Sequence, residues 1–212
     1  MPVDQQPMRG GVAVLIAVLA LGASWAAATD AATSQTLQEK VEVRVKTLAR
    51  RTVPARSLSP RAGTRTKAAT AVLEDAVVGR INVIRRGHGL RPLRSNSRLA
   101  AAAAYHSGDM ARKGYFEHDS ANGTVFWRRI ERFYPSRGFR SWTVGENLLW
   151  ASNTYGAAFA VREWMNSPPH RANILSRDWR EVGIGAVIVA SAPGAYGGRA
   201  VTIVTADFGA RR

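Results

Sequence analysis

Val182-Gly183-Ile184-Gly185-Ala186-Val187-Ile188-Val189 and Ala200-Val201-Thr202-Ile203-Val204-Thr205-Ala206-Asp207-Phe208 are the two runs whose reading decides the fold. Both are rich in β-branched residues, and each has the length of a strand rather than of a helix. The connection between them, Pro193-Gly194 to Gly197-Gly198, has turn chemistry, so the two runs form a hairpin. Leu148-Leu149-Trp150 adds a short third strand.

The segments upstream have helical texture instead. Leu73, Val77, Ile81 and Ile84 recur at helical spacing, and Arg86-Gly87-His88-Gly89 ends that helix. Pro92 keeps the following residues extended. Asn96 or Ser97 caps a second helix that runs through Ala100–Ala104 to Lys113 and stops at Gly114. Its apolar stripe contains His106, which therefore reads as a core histidine satisfied by hydrogen bonds. A shorter helix over Thr124–Tyr134 turns Phe126, Ile130 and Phe133 inward and Arg128, Arg129 and Arg132 outward. A fourth over Tyr155–Asn166 ends at Ser167, because Pro168-Pro169 cannot continue it. Helices first and strands last give an α+β domain, an antiparallel sheet covered by helices, over residues 71–212.

Outside this domain the chain changes character. Of its 212 residues, Gly10 to Ala28 form an uncharged stretch of 19 after Arg9, ending Ala26-Ala27-Ala28. A basic start, an apolar middle and a small-residue exit predict a secretory signal peptide over residues 1–28. The stretch approaches the ~20 residues that span a bilayer, so an uncleaved anchor is the alternative, and the only route to a membrane. Both place the rest of the chain outside the cytoplasmic membrane, secreted or tethered. Residues 29–70 read as a basic disordered linker: between positions 40 and 67, nine Lys and Arg face only Glu42, with Pro and Ser interspersed. Much of the net charge of +15 sits there and suits an anionic surface. No aromatic residue lies between Thr29 and Thr70, which argues against specific nucleic-acid binding. The absence of cysteine excludes disulfides, thiolate catalysis and cysteine-ligated zinc, and leaves stability to the core.

Three clusters carry the chemistry: Tyr115-Phe116-Glu117-His118-Asp119, Val144-Gly145-Glu146-Asn147-Leu148 and Trp164-Met165-Asn166-Ser167-Pro168-Pro169-His170-Arg171. They supply two imidazoles and a carboxylate in Gly/Pro-punctuated settings. His118 and His170 with a carboxylate in support suit zinc or a similar cation, with positions left for water. The same groups suit proton transfer without metal, with Glu146 as candidate general base. Ser167, three residues before His170, permits a Ser–His pair. Each group also has a structural use: His118 in a turn, Glu146 on backbone amides, His170 at the end of the preceding helix. No H-E-x-x-H, G-x-S-x-G, phosphate loop or EF-hand is present.

With Asn82-Val83-Ile84-Arg85, Gly89-Leu90-Arg91-Pro92-Leu93, Ala172-Asn173-Ile174-Leu175, Glu181-Val182-Gly183-Ile184-Gly185 and Asp207-Phe208-Gly209, these clusters resemble the CAP superfamily of cysteine-rich secretory, antigen 5 and pathogenesis-related proteins. The likeness is to its cysteine-free bacterial branch and covers roughly Leu73 to Gly209. It implies a single α-β-α sandwich with a surface cleft. In the eukaryotic branch that cleft carries two His and two Glu; His118 and His170 match the histidines and Glu146 the first glutamate. The second acid's position falls on Ser167, and Glu163 lies one residue before Trp164. Related bacterial chains often have Pro-Gly-His where this one has Pro168-Pro169-His170. The cleft so implied comprises His118, Glu146, Asn147, Ser167 and His170, and the family's cleft residues are linked to divalent cations. Two functions follow as expectations: a secreted cation-dependent binding module for an envelope lipid, wall polymer or protein, or a metal-assisted hydrolase of peptide or envelope polymer.

Overall fold

The computed structural model describes residues 60–212 and one strand before them, Val12–Val18. The leader and linker expectations fall mostly outside the described residues. Five helices surround a sheet. In chain order these are β1 (Val12–Val18), α1 (Pro60–Gly87), β2 (Arg94–Ser95), α2 (Ser97–Lys113), α3 (Phe126–Phe133), β3 (Trp142–Ser152), α4 (Ala157–Asn166), α5 (Pro168–Leu175), β4 (Glu181–Ala192) and β5 (Arg199–Arg211). A 3₁₀ turn, Gly194–Tyr196, closes the β4–β5 hairpin. The sheet order is β1-β3-β5-β4-β2. All pairings are antiparallel except Arg94–Ser95, which runs parallel to Glu181–Val182. Among the described residues no helix is long and apolar enough to cross a membrane.

The hairpin reads as expected, and β3 is longer than Leu148–Trp150 suggested, because Gly145, Glu146 and Asn147 continue its pairing with β5. Helix α1 reaches back to Pro60, into the stretch expected as linker. Helix α5 was not anticipated. Pro168 and Pro169 end α4 but occupy the first positions of the next helix, where a missing N–H costs nothing. Part of the apolar N-terminal stretch, Val12–Val18, lies antiparallel on the outer edge of β3 and pairs with Gly145–Ala151.

Period-two alternation divides the core into two layers. Leu149, Val204, Ala206, Phe208, Val182 and Ile184 face α1 and α4, packing on Val77, Ile81, Val161 and Trp164. Leu148, Trp150 and Ile203, on the other face, pack against Met110 of α2. Val144, on the same face, packs with Leu99 of α2 and Phe126 and Ile130 of α3. The architecture is thus α+β, with helices on both faces of the sheet. Helix α2 starts and stops as its sequence requires: Asn96 accepts from the Arg98 and Leu99 amides, and Gly114 takes the left-handed conformation at φ 75°. Its backbone lies directly on Gly183 and Gly185, where a Cβ would stand 1.9 Å from the Ala100 nitrogen and 2.0 Å from the Ala104 nitrogen. Arg85, 1% exposed, donates from the end of α1 to the carbonyls of Ile174 and Ser176 at 2.7 and 2.8 Å. It meets the partial negative charge at the C-terminus of α5 and fixes that helix in place.

Candidate functional site

The alternation of β3 also decides the layout of the site. Glu146 and Asn147 are neighbours in sequence and point to opposite faces of the sheet. Glu146 faces the α2–α3 side, where His118 Nδ1 lies 2.7 Å from its Oε1. Asn147 faces the other side and donates to the His170 carbonyl at 3.1 Å. Asn173 of α5 reinforces that contact, donating to the Asn147 side-chain oxygen at 2.8 Å. The two histidines therefore arrive from opposite layers, each held to one of two consecutive strand residues. β1 runs beside this pair, with Ala17 opposite Glu146 and Ile16 opposite Asn147.

Glu146 is completely buried, and its second oxygen accepts from the Arg129 guanidinium. Arg129, 1% exposed, also donates to the His118 carbonyl at 2.6 Å. This overturns the outward placement expected for Arg129. Positions 126, 129, 130 and 133 share one stripe of α3, and the charge is tolerated inside because a carboxylate meets it there. Burial works to raise the Glu146 pKa, but the Arg129 charge, with His106 and His118, outweighs it and holds the carboxyl well below the usual range. Glu146 is thus an acceptor only, so His118 Nδ1 carries the shared proton. The Nε2 atom of the same ring is buried and meets no hydrogen-bond partner among the described residues.

Asp207 sits directly across from Glu146 in the β3–β5 register and is also fully buried. Burial and the adjacent Glu146 charge push it well above the carboxylate range, with Arg129 opposing, so it is held protonated. His106 lies 4.0 Å from Glu146. Its Nε2 is 2.9 Å from the Glu117 carbonyl, which only accepts, so that nitrogen bears the proton. Burial lowers its pKa to about 4, against the pull of Glu146. It is the core histidine that its place on the α2 stripe implied. The buried set therefore holds one ion pair, Arg129 with Glu146, beside a neutral acid and a neutral imidazole.

On the other face, His170 is 1% exposed and its Nδ1 lies 2.7 Å from the Ser167 hydroxyl. Ser167 precedes α5 as its cap, yet its side chain makes no capping bond. Of the two positions that a cap side chain serves, the one at Pro169 has no N–H to give, and the hydroxyl turns to the His170 ring. Glu163 is half-buried and pairs with Arg162 at 3.3 Å. Among the described residues, no group of three or more His, Cys, Asp or Glu is arranged to hold a metal ion. Arg129, Asp207 and Asn173 belong to the site but were not singled out for it in the sequence. Only the stripe position of Arg129, shared with Phe126 and Ile130, could have flagged one of them.

The model of the cysteine-rich secretory protein family, CAP, matches residues 78–208. The chain is 33% identical over 135 residues to the uncharacterized protein YkwD of Bacillus subtilis, covering 63% of this chain and 50% of that one. It is 34% identical over 112 residues to the uncharacterized membrane protein YlbC of the same organism, covering 53% and 31%. The chain thus spans half or less of the length of the curated relatives that it matches. Among solved structures, it is similar to an extracellular protein containing an SCP domain from Bacillus anthracis, with a TM-score of 0.54 and 27% identity over 73% of this chain and 44% of that one.

Proposed function

The chain belongs to the CAP family of cysteine-rich secretory proteins, and from that premise we propose that it is an exported binding domain rather than a hydrolase. Its cleft is built on His118 and His170. The observation that carries this reading is the state of Glu146. A general base needs a pKa near the working pH and access to the proton that it abstracts. Glu146 has neither, being fully buried and committed to Arg129 and His118. Its role is to orient an imidazole, as carboxylates behind metal-bound histidines do. The extracellular SCP-domain relative and the apolar leader support export, and the basic stretch at 40–67 supports retention on an anionic surface.

In this reading the candidate donors to a divalent cation, zinc by donor type, are His118 and His170, with water completing the shell. The buried Nε2 of His118, which meets no hydrogen-bond partner among the described residues, fits that role, and the lack of a third protein donor among those residues keeps the site weak. Thermal unfolding of the full chain, metal-stripped and then titrated with zinc, magnesium and calcium, tests it. At a hundredfold excess over Kd the cation should add about 2.7 kcal/mol of stability, and His118→Ala or His170→Ala should abolish the gain. No shift with any cation would leave a metal-free cleft.

The Ser167–His170 hydrogen bond favours one second reading, a Ser–His hydrolase of peptide or envelope polymer. Covalent labelling of Ser167 by a fluorophosphonate, lost in His170→Ala, would establish it.

A further inference from the structure

Helix α3 has two faces with different charge accounts. Its inner face spends Arg129 on Glu146. Its outer face carries Arg128 and Arg132 one turn apart, where like charges repel. Arg128 stands in the first turn, against the helix dipole, and that turn contains no acid. The acid in this region, Glu131, is turned to the Ser136 hydroxyl instead of to either arginine. The connection onward to β3 adds Arg137 and Arg140, both exposed. Among the described residues none of these four arginines forms an ion pair, whereas Arg94, Arg112 and Arg162 all do. The amides of Arg140 and Ser141 donate to the Arg212 carbonyl, which brings the C-terminal arginines to the same end of the molecule.

Arg128 and Arg132 line an open groove of about 790 Å³ together with Asn122, Thr124, Trp127 and Glu131, a size within the range of small-ligand sites. Two arginines against one carboxylate, which itself accepts from Ser136, leave the groove wall net positive, and such local imbalance marks binding surfaces. We infer that the groove on α3 is a second binding site, distinct from the histidine cleft, for a phosphate- or carboxylate-bearing glycan. Arg128 and Arg132 take the anionic groups as charge-assisted donors, while Asn122, Thr124 and the indole of Trp127 receive the sugar. A nucleic acid is the poorer fit, because one face of Trp127 is taken by the Arg128 guanidinium at 5.2 Å and no row of open rings remains for bases. A membrane is the poorer fit too, because the site is a groove and not an apolar protrusion. The inference rests on the reading of the chain as an exported binding domain, and it names the class of ligand.

The test compares three forms of the full chain: unchanged, Arg128→Ser/Arg132→Ser, and Arg86→Ser/Arg98→Ser, which removes equal charge from exposed positions elsewhere. All keep the basic stretch at 40–67, so any difference belongs to the groove. Binding is measured to polygalacturonate and to a phosphomannan, with neutral dextran, anionic vesicles and single-stranded DNA beside them. The groove variant should bind one or both charged polymers roughly tenfold more weakly, with the control variant and dextran binding unaffected and thermal unfolding unchanged. The better of the two polymers identifies the anionic group. Equal losses in both variants, or tighter binding to vesicles or DNA than to either polymer, would overturn the groove. A His170→Ala chain separates the two sites: loss of polymer binding there, with the groove variant intact, moves the ligand to the cleft and sinks the groove alone.

Discussion

Arg129 and Glu146 form an ion pair that solvent does not reach, joining α3 to the strand that presents the cleft. Its geometry makes Glu146 a fixture. The same guanidinium holds the His118 carbonyl, so one side chain sets both the carboxylate and the backbone of the histidine beside it.

Removing one partner leaves the other charge buried and alone, which typically costs about 3–5 kcal/mol. Arg129→Met and Glu146→Gln should each destabilise the domain by that order in urea unfolding. The double variant should lose clearly less than the sum of the two. Additive losses would mean that the pair does not act as a unit.

His106 makes a pH prediction with a definite sign. Its folded pKa, about 4, lies below the ordinary imidazole value of 6.5. As pH falls between these values the unfolded chain takes up a proton that the folded one refuses, so stability declines with falling pH. The contribution is complete above 6.5 and gone below about 4, and amounts to about 3 kcal/mol. His106→Gln should flatten the stability profile in that window in metal-free protein. A profile unchanged by the substitution would mean that His106 titrates normally when folded.

The fold was legible because its signals are local. Asn96 and Gly114 mark the ends of α2, the β-branched runs mark the hairpin, and periodicity marks the helix faces. What escaped depended on tertiary partners. Arg129 looks like any other arginine on α3 until Glu146 arrives from β3. Asp207 reads as one polar residue in a strand until the register sets it opposite the same glutamate. Helix α5 hid behind two prolines, which signal a stop equally well as a start. The motifs single out Glu146 and Asn147 as candidates, but that they point to opposite faces of the sheet is a matter of strand register, which the motif does not encode.

Gly183 and Gly185 should be intolerant for a geometric reason. A Cβ at either position meets the backbone of α2 at 2.0 Å or less, and a helix backbone cannot step aside as a side chain can. Gly183→Ala and Gly185→Ala should each cost about 3 kcal/mol or more by overpacking. Gly79, inside α1 with nothing within 4 Å of its Cβ position, is the internal control. Gly79→Ala should stabilise by about 0.5–1 kcal/mol through helix propensity. Thermal unfolding of the three variants decides it, and tolerance at Gly185 would place α2 farther from the sheet.

If the cleft holds the proposed cation, Ser167 should set how tightly it does so. Its hydroxyl holds His170 by Nδ1 and caps nothing, so the position is free to change without loss of the helix start. Ser167→Ala removes the support behind one imidazole, and loss of such outer partners typically weakens metal binding by about 10–100-fold. Ser167→Glu does the reverse. It places a carboxylate where the eukaryotic relatives of this fold have one, and a third protein donor would convert a weak two-histidine site into one of the usual composition for an open zinc site. Zinc titrations followed by calorimetry should therefore rank the chains Ser167→Glu, unchanged, Ser167→Ala in falling affinity. If both substitutions weaken zinc equally, the hydroxyl itself is the functional group at this position, and the Ser–His reading gains at the expense of the cation.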